Sequence, residues 1–264
     1  MTLDDPRNNI LYRVDAGLAR ITLNRPQSLG AIDRDSALLW LEIARDLRDR
    51  DDVGAVIFDS NGPAFCAGGD VLSFARLGEG AAAAVGELAD VIHEGHRIFA
   101  SISVPIVTAV QGAVAGGGLG FMLVGDYVVA ASRAVFVSKY ADIGLTPDCG
   151  VSTLLPEAVG MRRALELTLT DRVLDADTAL AWGLVNEVVA PEELASRAEA
   201  VAAHWMNGAT AAFGQAKRLL RAGIARPYAE GLDDEARTIA AAVASEAART
   251  RIAAFAARSN KGEK

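Results

Sequence analysis

Val104-Pro105-Ile106-Val107-Thr108-Ala109-Val110 runs directly into Gln111-Gly112-Ala113-Val114-Ala115-Gly116-Gly117-Gly118-Leu119-Gly120. A short apolar run bounded by turn residues reads as a buried strand, and the glycine triplet reads as the start of a helix. The same order occurs upstream, where Val53-Gly54-Ala55-Val56-Ile57-Phe58 leads into Phe65-Cys66-Ala67-Gly68-Gly69-Asp70. It continues downstream with strand candidates at Tyr127-Val128-Val129-Ala130-Ala131 and Ala134-Val135-Phe136-Val137. Strand and helix therefore alternate through the middle of the chain, the pattern of an α/β core with parallel pairing.

Working outward, Ile10–Val14 and Ala19–Asn24 flank Ala16-Gly17 and read as a hairpin. Apolar residues at helical spacing predict a helix from Asp33 to Arg48, and an alanine-rich helix is predicted from Ala81 to Ala100. From about Glu157 the chain reads as mostly helical. We expect a core over residues 1–200 and a helical region over 201–264 that serves oligomerisation, ending in the charged tail Asn260-Lys261-Gly262-Glu263-Lys264. Alanine runs such as Ala240-Ala241-Ala242, interspersed with Ile239, Val243, Ile252 and Phe255, fit closely packed helices.

The chain has 264 residues, 51% of them apolar and 23% charged, enough to bury a full core. No stretch approaches the roughly 18 uninterrupted apolar residues of a membrane span. The first residues lack a basic-then-apolar leader, so a cytoplasmic location without membrane attachment is expected. A formal net charge of −8 argues against a nucleic-acid partner. The two cysteines, Cys66 and Cys149, lack CxxC spacing and are expected to be reduced and packed.

The two glycine loops carry the chemistry. Glycine lets a main-chain N–H approach a ligand closely, and a helix start adds unpaired N–H groups and a positive dipole end. Two such loops together suggest an oxyanion hole, in which one donor is worth about 3–4 kcal/mol of barrier. Neither G-x-G-x-x-G nor G-x-x-x-x-G-K-[ST] is present, which leaves dinucleotide and P-loop sites without a motif. His93 and His96 stand three apart, but no third metal ligand is evident; no metal is expected, and a solvated or partner-facing role is.

These loops, together with Asn24-Arg25-Pro26, Ile143-Gly144-Leu145-Thr146-Pro147-Asp148-Cys149-Gly150, Leu174-Asp175-Ala176 and Ala181-Trp182-Gly183-Leu184-Val185-Asn186-Glu187-Val188-Val189, resemble the enoyl-CoA hydratase/isomerase (crotonase) superfamily. The resemblance spans nearly the whole chain. It implies a crotonase-like spiral of βαβ units with a C-terminal helical region, and a homotrimer that often pairs into a hexamer. It further implies an acyl-CoA thioester substrate of the kind met in fatty acid metabolism, and no cofactor beyond the coenzyme A of that substrate. By the same resemblance, Gly69 and Gly117 donate the two oxyanion N–H groups. Ala67, Gly68, Asp70 and Gly116 lie along the substrate beside them.

The side chains decide the subclass. Family hydratases carry glutamates at the positions that here hold Gly120 and Tyr140. Hydration needs a carboxylate to activate water and an acid to protonate carbon, so it is disfavoured. Asp148, in Gly144-Leu145-Thr146-Pro147-Asp148-Cys149-Gly150, resembles the acid/base carboxylate of Δ3,Δ2-enoyl-CoA isomerases and of ring-opening epoxide isomerases of phenylacetyl-CoA breakdown. One carboxylate suffices for a 1,3-proton shift. Tyr140 is expected either to bond substrate, to assist Asp148, or to be structural. The resemblance leaves other chemistry open: an aryl-CoA dehalogenase or hydrolase with Asp148 as nucleophile and a histidine base, or an acyl-CoA binder without turnover. Asn24-Arg25-Pro26 is followed by Gln27-Ser28-Leu29-Gly30-Ala31 rather than the usual basic or polar run. Arg25 remains there, and the resemblance, which implies a basic residue near the nucleotide from a late helix, points to Lys217 and Arg218 as the further phosphate contacts, assembled across subunits.

Overall fold

The computed structural model describes residues 1–259. It opens with the expected hairpin, β1 (Ile10–Asp15) and β2 (Leu18–Leu23), whose tight turn places Ala16 and Gly17 at φ 47° and 82°. Asp33 caps α1 (Arg34–Arg48) by accepting the Ser36 N–H, and β3 (Ala55–Ser60) then enters the sheet parallel to β2. A short α2 (Val71–Ala75) follows the first glycine loop, and the long α3 (Ala81–Ser101) leads back to β4 (Ile106–Val110).

Within the second glycine loop the sequence hides a three-residue strand, β5 (Ala113–Ala115), before α4 (Gly117–Leu123). Strands β6 (Tyr127–Ala131) and β7 (Val135–Val137) follow, then α5 (Val151–Val159), α6 (Met161–Leu169) and β8 (Val173–Asp175). After α7 (Ala176–Trp182) and β9 (Glu187–Val189) come α8 (Leu194–Asn207), α9 (Thr210–Gly223), α10 (Tyr228–Val243) and α11 (Glu246–Ser259). The charged tail after Ser259 lies outside the described residues.

The strands form a six-stranded sheet, β1-β2-β3-β4-β6-β9, and a three-stranded one, β5-β7-β8. All pairs in the larger sheet beyond the first hairpin are parallel. Each turn steps from a large-sheet strand to a small-sheet strand (β4 to β5, β6 to β7), and helices return the chain. The result is the expected spiral of βαβ units.

Alternation along the strands supplies both faces of the large sheet. Val56, Phe58, Ile106 and Val110 face the main core, whereas Ala55, Ile57, Val107 and Ala109 face Leu194, Ala198, Val201 and Ala202 of α8. The core boundary expected at residue 200 therefore moves: α8 runs through that position unbroken and is a layer of the core. Trp40 centres the main core, with its ring 4.3–5.1 Å from those of Phe99, Phe121 and Phe58. Its indole N–H donates to Nδ1 of buried His96 at 3.0 Å.

The last helices are tied on by charge. Lys217 Nζ meets Asp126 at 2.9 Å and the Val104 carbonyl at 2.8 Å, and Arg221 reaches the other Asp126 oxygen at 3.0 Å. Beyond α9 the helices stand away from the sheets, leaving Leu232, Ile239, Val243 and Ile252 exposed.

Candidate active site

The first glycine loop is pinned so that one amide is left over. Ile32 donates to the Gly68 carbonyl at 2.8 Å and accepts from the Asp70 N–H at 2.9 Å. Extended backbone alternates its polar groups, so the Gly69 N–H between them points to the opposite side. Asp70 holds the turn: its carboxylate caps α2 through the Ser73 N–H and pairs with Arg25 at 2.9 Å. The Arg25 guanidinium holds that carboxyl below its ordinary range.

The second loop is pinned in the same manner. Ala115 donates to the Cys66 carbonyl at 2.9 Å and Gly116 to the Val137 carbonyl at 3.1 Å. Gly116, at φ 52°, turns the chain into α4, so Gly117 begins the helix with an N–H that has no intrahelical acceptor. Among the described residues neither the Gly69 nor the Gly117 N–H donates to a protein acceptor. The loops abut: a β-carbon built on Gly68 would sit 3.2 Å from the Gly117 nitrogen.

Asp148 stands over this junction. A β-carbon built on Gly117 would lie 3.5 Å from Asp148 Oδ1, 3.3 Å from Cys149 Sγ and 3.7 Å from the Tyr140 hydroxyl. Tyr140 donates its hydroxyl to Asp148 Oδ1 at 2.6 Å. Burial first, and the carboxylate second, push the phenol far above its ordinary range, so it stays a donor. Oδ1 is thereby engaged by the tyrosine, and the Asp148 carboxylate also meets the Cys149 thiol.

The absence of a hydratase carboxylate at position 120 is built into the packing. A β-carbon there would lie 2.1 Å from the Cys149 carbonyl oxygen, so the loop carrying Asp148 fills the space a glutamate would cross. Cys149 adopts a left-handed φ of 50°, rare for a residue with a side chain. Its N–H donates to His93 Nε2 at 3.1 Å.

His93 thus belongs to the site, contrary to the solvated or partner-facing role expected from sequence. Nothing local signals this, because its partner lies on a different element. Both cysteines are buried; burial pushes the Cys66 thiol up to about 12, and burial together with Asp148 raises that of Cys149. Neither is poised as a nucleophile.

The structure brings together Gly68, Gly69, Gly116, Gly117, Tyr140 and Asp148, but not the basic residues. Arg25 spends its donors on Asp70, Asp33 and the Ala31 carbonyl. Lys217 is buried in its pair with Asp126, and Arg218 links α9 to Asp234 and Thr238 of α10. These three build the fold instead of presenting free charge to a phosphate. Asp70 is likewise a helix cap, and the Ala67 N–H is taken by the Leu29 carbonyl at 3.0 Å. Among the described residues no group of three or more His, Cys, Asp and Glu could hold a metal ion, and no helix is long and apolar enough to cross a membrane.

Residues 13–262 match the family model described as enoyl-CoA hydratase/isomerase. The chain belongs to this family. It is 35% identical over 235 residues to a probable enoyl-CoA hydratase of Rhodobacter capsulatus, covering 87% of this chain and 88% of that one. It is 32% identical to the 1,2-epoxyphenylacetyl-CoA isomerase of Escherichia coli, covering 80% and 81%. A crystal structure of a putative enoyl-CoA hydratase/isomerase from Mycobacterium abscessus superposes with a TM-score of 0.89 at 34% identity, covering 94% and 96%. The spiral of this family member is the crotonase fold, and its family acts on acyl-CoA thioesters.

Proposed function

We propose that this crotonase-family enzyme is an acyl-CoA isomerase that moves a double bond from the 3 to the 2 position, or rearranges a ring-derived phenylacetyl-type thioester, with Asp148 as its acid/base. The observation that carries this reading is the placement of the Asp148 carboxylate against Gly117, the first residue of α4. The thioester oxygen accepts from the Gly69 and Gly117 N–H groups. The Asp148 carboxylate takes a proton from C2, the electrons pass through the thioester carbonyl, and the dienolate oxygen gains the charge that the two amides and the helix dipole stabilise. The same carboxyl then returns the proton at C4. One proton leaves and one arrives, so a single carboxylate completes the cycle.

Hydration asks for a second acid/base group, and this site provides none at the two hydratase positions. Gly120 has no side chain and no room for one, and the Tyr140 proton is committed to Asp148. The acyl chain is assigned to the cavity of about 330 Å³ between α1, α2 and α3, whose apolar wall includes Leu38, Phe74, Leu77, Leu88 and Val91. Phe74 links the two regions, since its ring lies 3.2 Å from a β-carbon built on Gly69. A trimer or hexamer would cover the exposed apolar residues of α10 and α11.

The test is a panel of 3-enoyl, 2-enoyl and phenylacetyl-derived CoA thioesters with wild type and Asp148→Asn. Wild type should isomerise the 3-enoyl or ring-derived substrate and exchange C2 protons in heavy water, and Asp148→Asn should lose about 10²–10⁴-fold. Equal activity of the two proteins would remove Asp148 from the mechanism. Tight binding without any C2 exchange would make the protein a binder.

His93 gives a second reading specific support. In the aryl-CoA dehalogenase reading, Asp148 attacks a ring carbon, halide leaves, and a histidine near the resulting aryl ester of Asp148 serves as base for the water that hydrolyses it. The His93 Nε2 lone pair, however, is occupied by the Cys149 N–H. Trapping a covalent ester on Asp148 separates this reading from the isomerase.

A further inference from the structure

We propose that His93 is a positioning residue that aims the Asp148 carboxylate by clamping the backbone of Cys149. This inference rests on the reading of Asp148 as the base. Residue 149 is held in an unfavoured conformation, φ 50°, and is followed by Gly150 at φ 78°. Two left-handed residues in succession make the abrupt corner between Asp148 and α5, and a non-glycine residue persists there only where its surroundings enforce it.

Three contacts do so. The carbonyl of Cys149 packs on Gly120, its sulfur packs on Gly117, and its N–H is received by His93 Nε2 at 3.1 Å. The first two fix where the loop sits on α4. The hydrogen bond has the direction needed to hold the N–H side of the peptide plane that joins Asp148 to Cys149, whose carbonyl side accepts from the Val151 N–H at 2.9 Å, and that plane sets where the Asp148 side chain departs.

The imidazole acts as an acceptor in this bond, so its Nε2 must be unprotonated, and His93 of α3 reaches Asp148 only by way of the Cys149 backbone. The adjacent Tyr140 bond fixes one carboxylate oxygen from the far side. Asp148 is therefore held from its backbone by α3 and from its head group by Tyr140.

The experiment compares His93→Ala, which removes the acceptor, with His93→Gln, whose side-chain oxygen can replace it. Isomerase kinetics on the 3-enoyl-CoA substrate and amide hydrogen exchange at Cys149 are read in both. Displacement of a reacting group by about 1 Å costs on the order of 10²-fold. His93→Ala should thus lower kcat by that order with KM unchanged and expose the Cys149 amide to exchange, while His93→Gln restores most of both.

An unchanged kcat in His93→Ala would overturn the clamp. So would a His93→Gln enzyme that protects the amide yet is as slow as His93→Ala, because the imidazole would then be acting chemically. Should His93→Ala not fold, through-bond coupling between the Cys149 amide and His93 Nε2 nitrogens in wild type decides, its absence overturning the proposal. Asp148→Asn assayed in parallel separates failure of the clamp from failure of the base: amide protection reports the first whatever the second shows.

Discussion

The backbone carbonyl of Cys149 lies 2.1 Å from where a β-carbon on Gly120 would be. Position 120 is therefore closed to side chains by the same loop that delivers Asp148, and the two features go together. Gly120→Glu should not create a hydratase. It should lower stability by about 1–3 kcal/mol or more through overpacking and abolish isomerisation by displacing Asp148, measured as the unfolding midpoint and the rate on 2-enoyl and 3-enoyl thioesters. Gain of hydration would contradict the packing.

Tyr140→Phe keeps the ring and removes the donor to Asp148 Oδ1. A hydrogen bond to a charged group is worth about 1.5–3 kcal/mol, so kcat should fall on the order of ten- to a hundred-fold. KM should hold, because the hydroxyl is committed to Asp148. A raised KM with unchanged kcat would assign Tyr140 to substrate binding instead.

Several of these elements were legible in the chain alone. The hairpin, α1, β3, α3, β4 and β6 carry enough periodic apolar residues to be read locally, and the glycine loops and Asp148 singled out in the sequence are brought together by the fold. Strands β5, β8 and β9 were not legible, because three residues carry no period and their pairing is decided by distant partners. Charge was legible but its partner was not: Arg25, Lys217 and Arg218 read as free cations, yet Asp70, Asp126 and Asp234 take them up. His93 fails to stand out for the same reason, as its role is defined by a peptide N–H far along the sequence.

Cavity shape gives a prediction for chain length. Leu88→Trp should crowd the space between α1, α2 and α3, raising KM for long 3-enoyl thioesters while short ones are little affected. A uniform change across chain lengths would place the acyl group elsewhere.

His96 makes stability depend on pH in a definite direction. Burial first, and His93 second, lower it from its ordinary 6.5 to about 3, so below 6.5 the unfolded chain takes up a proton that the folded one refuses. Stability should fall on acidification from above pH 6.5 toward 3, by about 2 kcal/mol from this group between pH 7 and 5. Denaturant melts across that range should show this slope in wild type and lose it in His96→Asn.

Asp126 is mostly buried and is held by Lys217, Arg221 and the Ile106 N–H. Asp126→Ala strands the buried Lys217 charge and should cost about 3–5 kcal/mol, read from equilibrium unfolding. A loss under 1 kcal/mol would mean that solvent reaches the lysine.

That cross-link has a further consequence for how the chain is made. During synthesis the strand region around Asp126 leaves the ribosome some ninety residues before Lys217 and Arg221, so until then the Ile106 N–H is the partner already made and no cation answers the charge. Strands β4 and β6 can pair before α9 emerges, but the Asp126 carboxylate gains its two cationic partners only with that helix, so the last step of assembly is the docking of α9 onto a charge already in place.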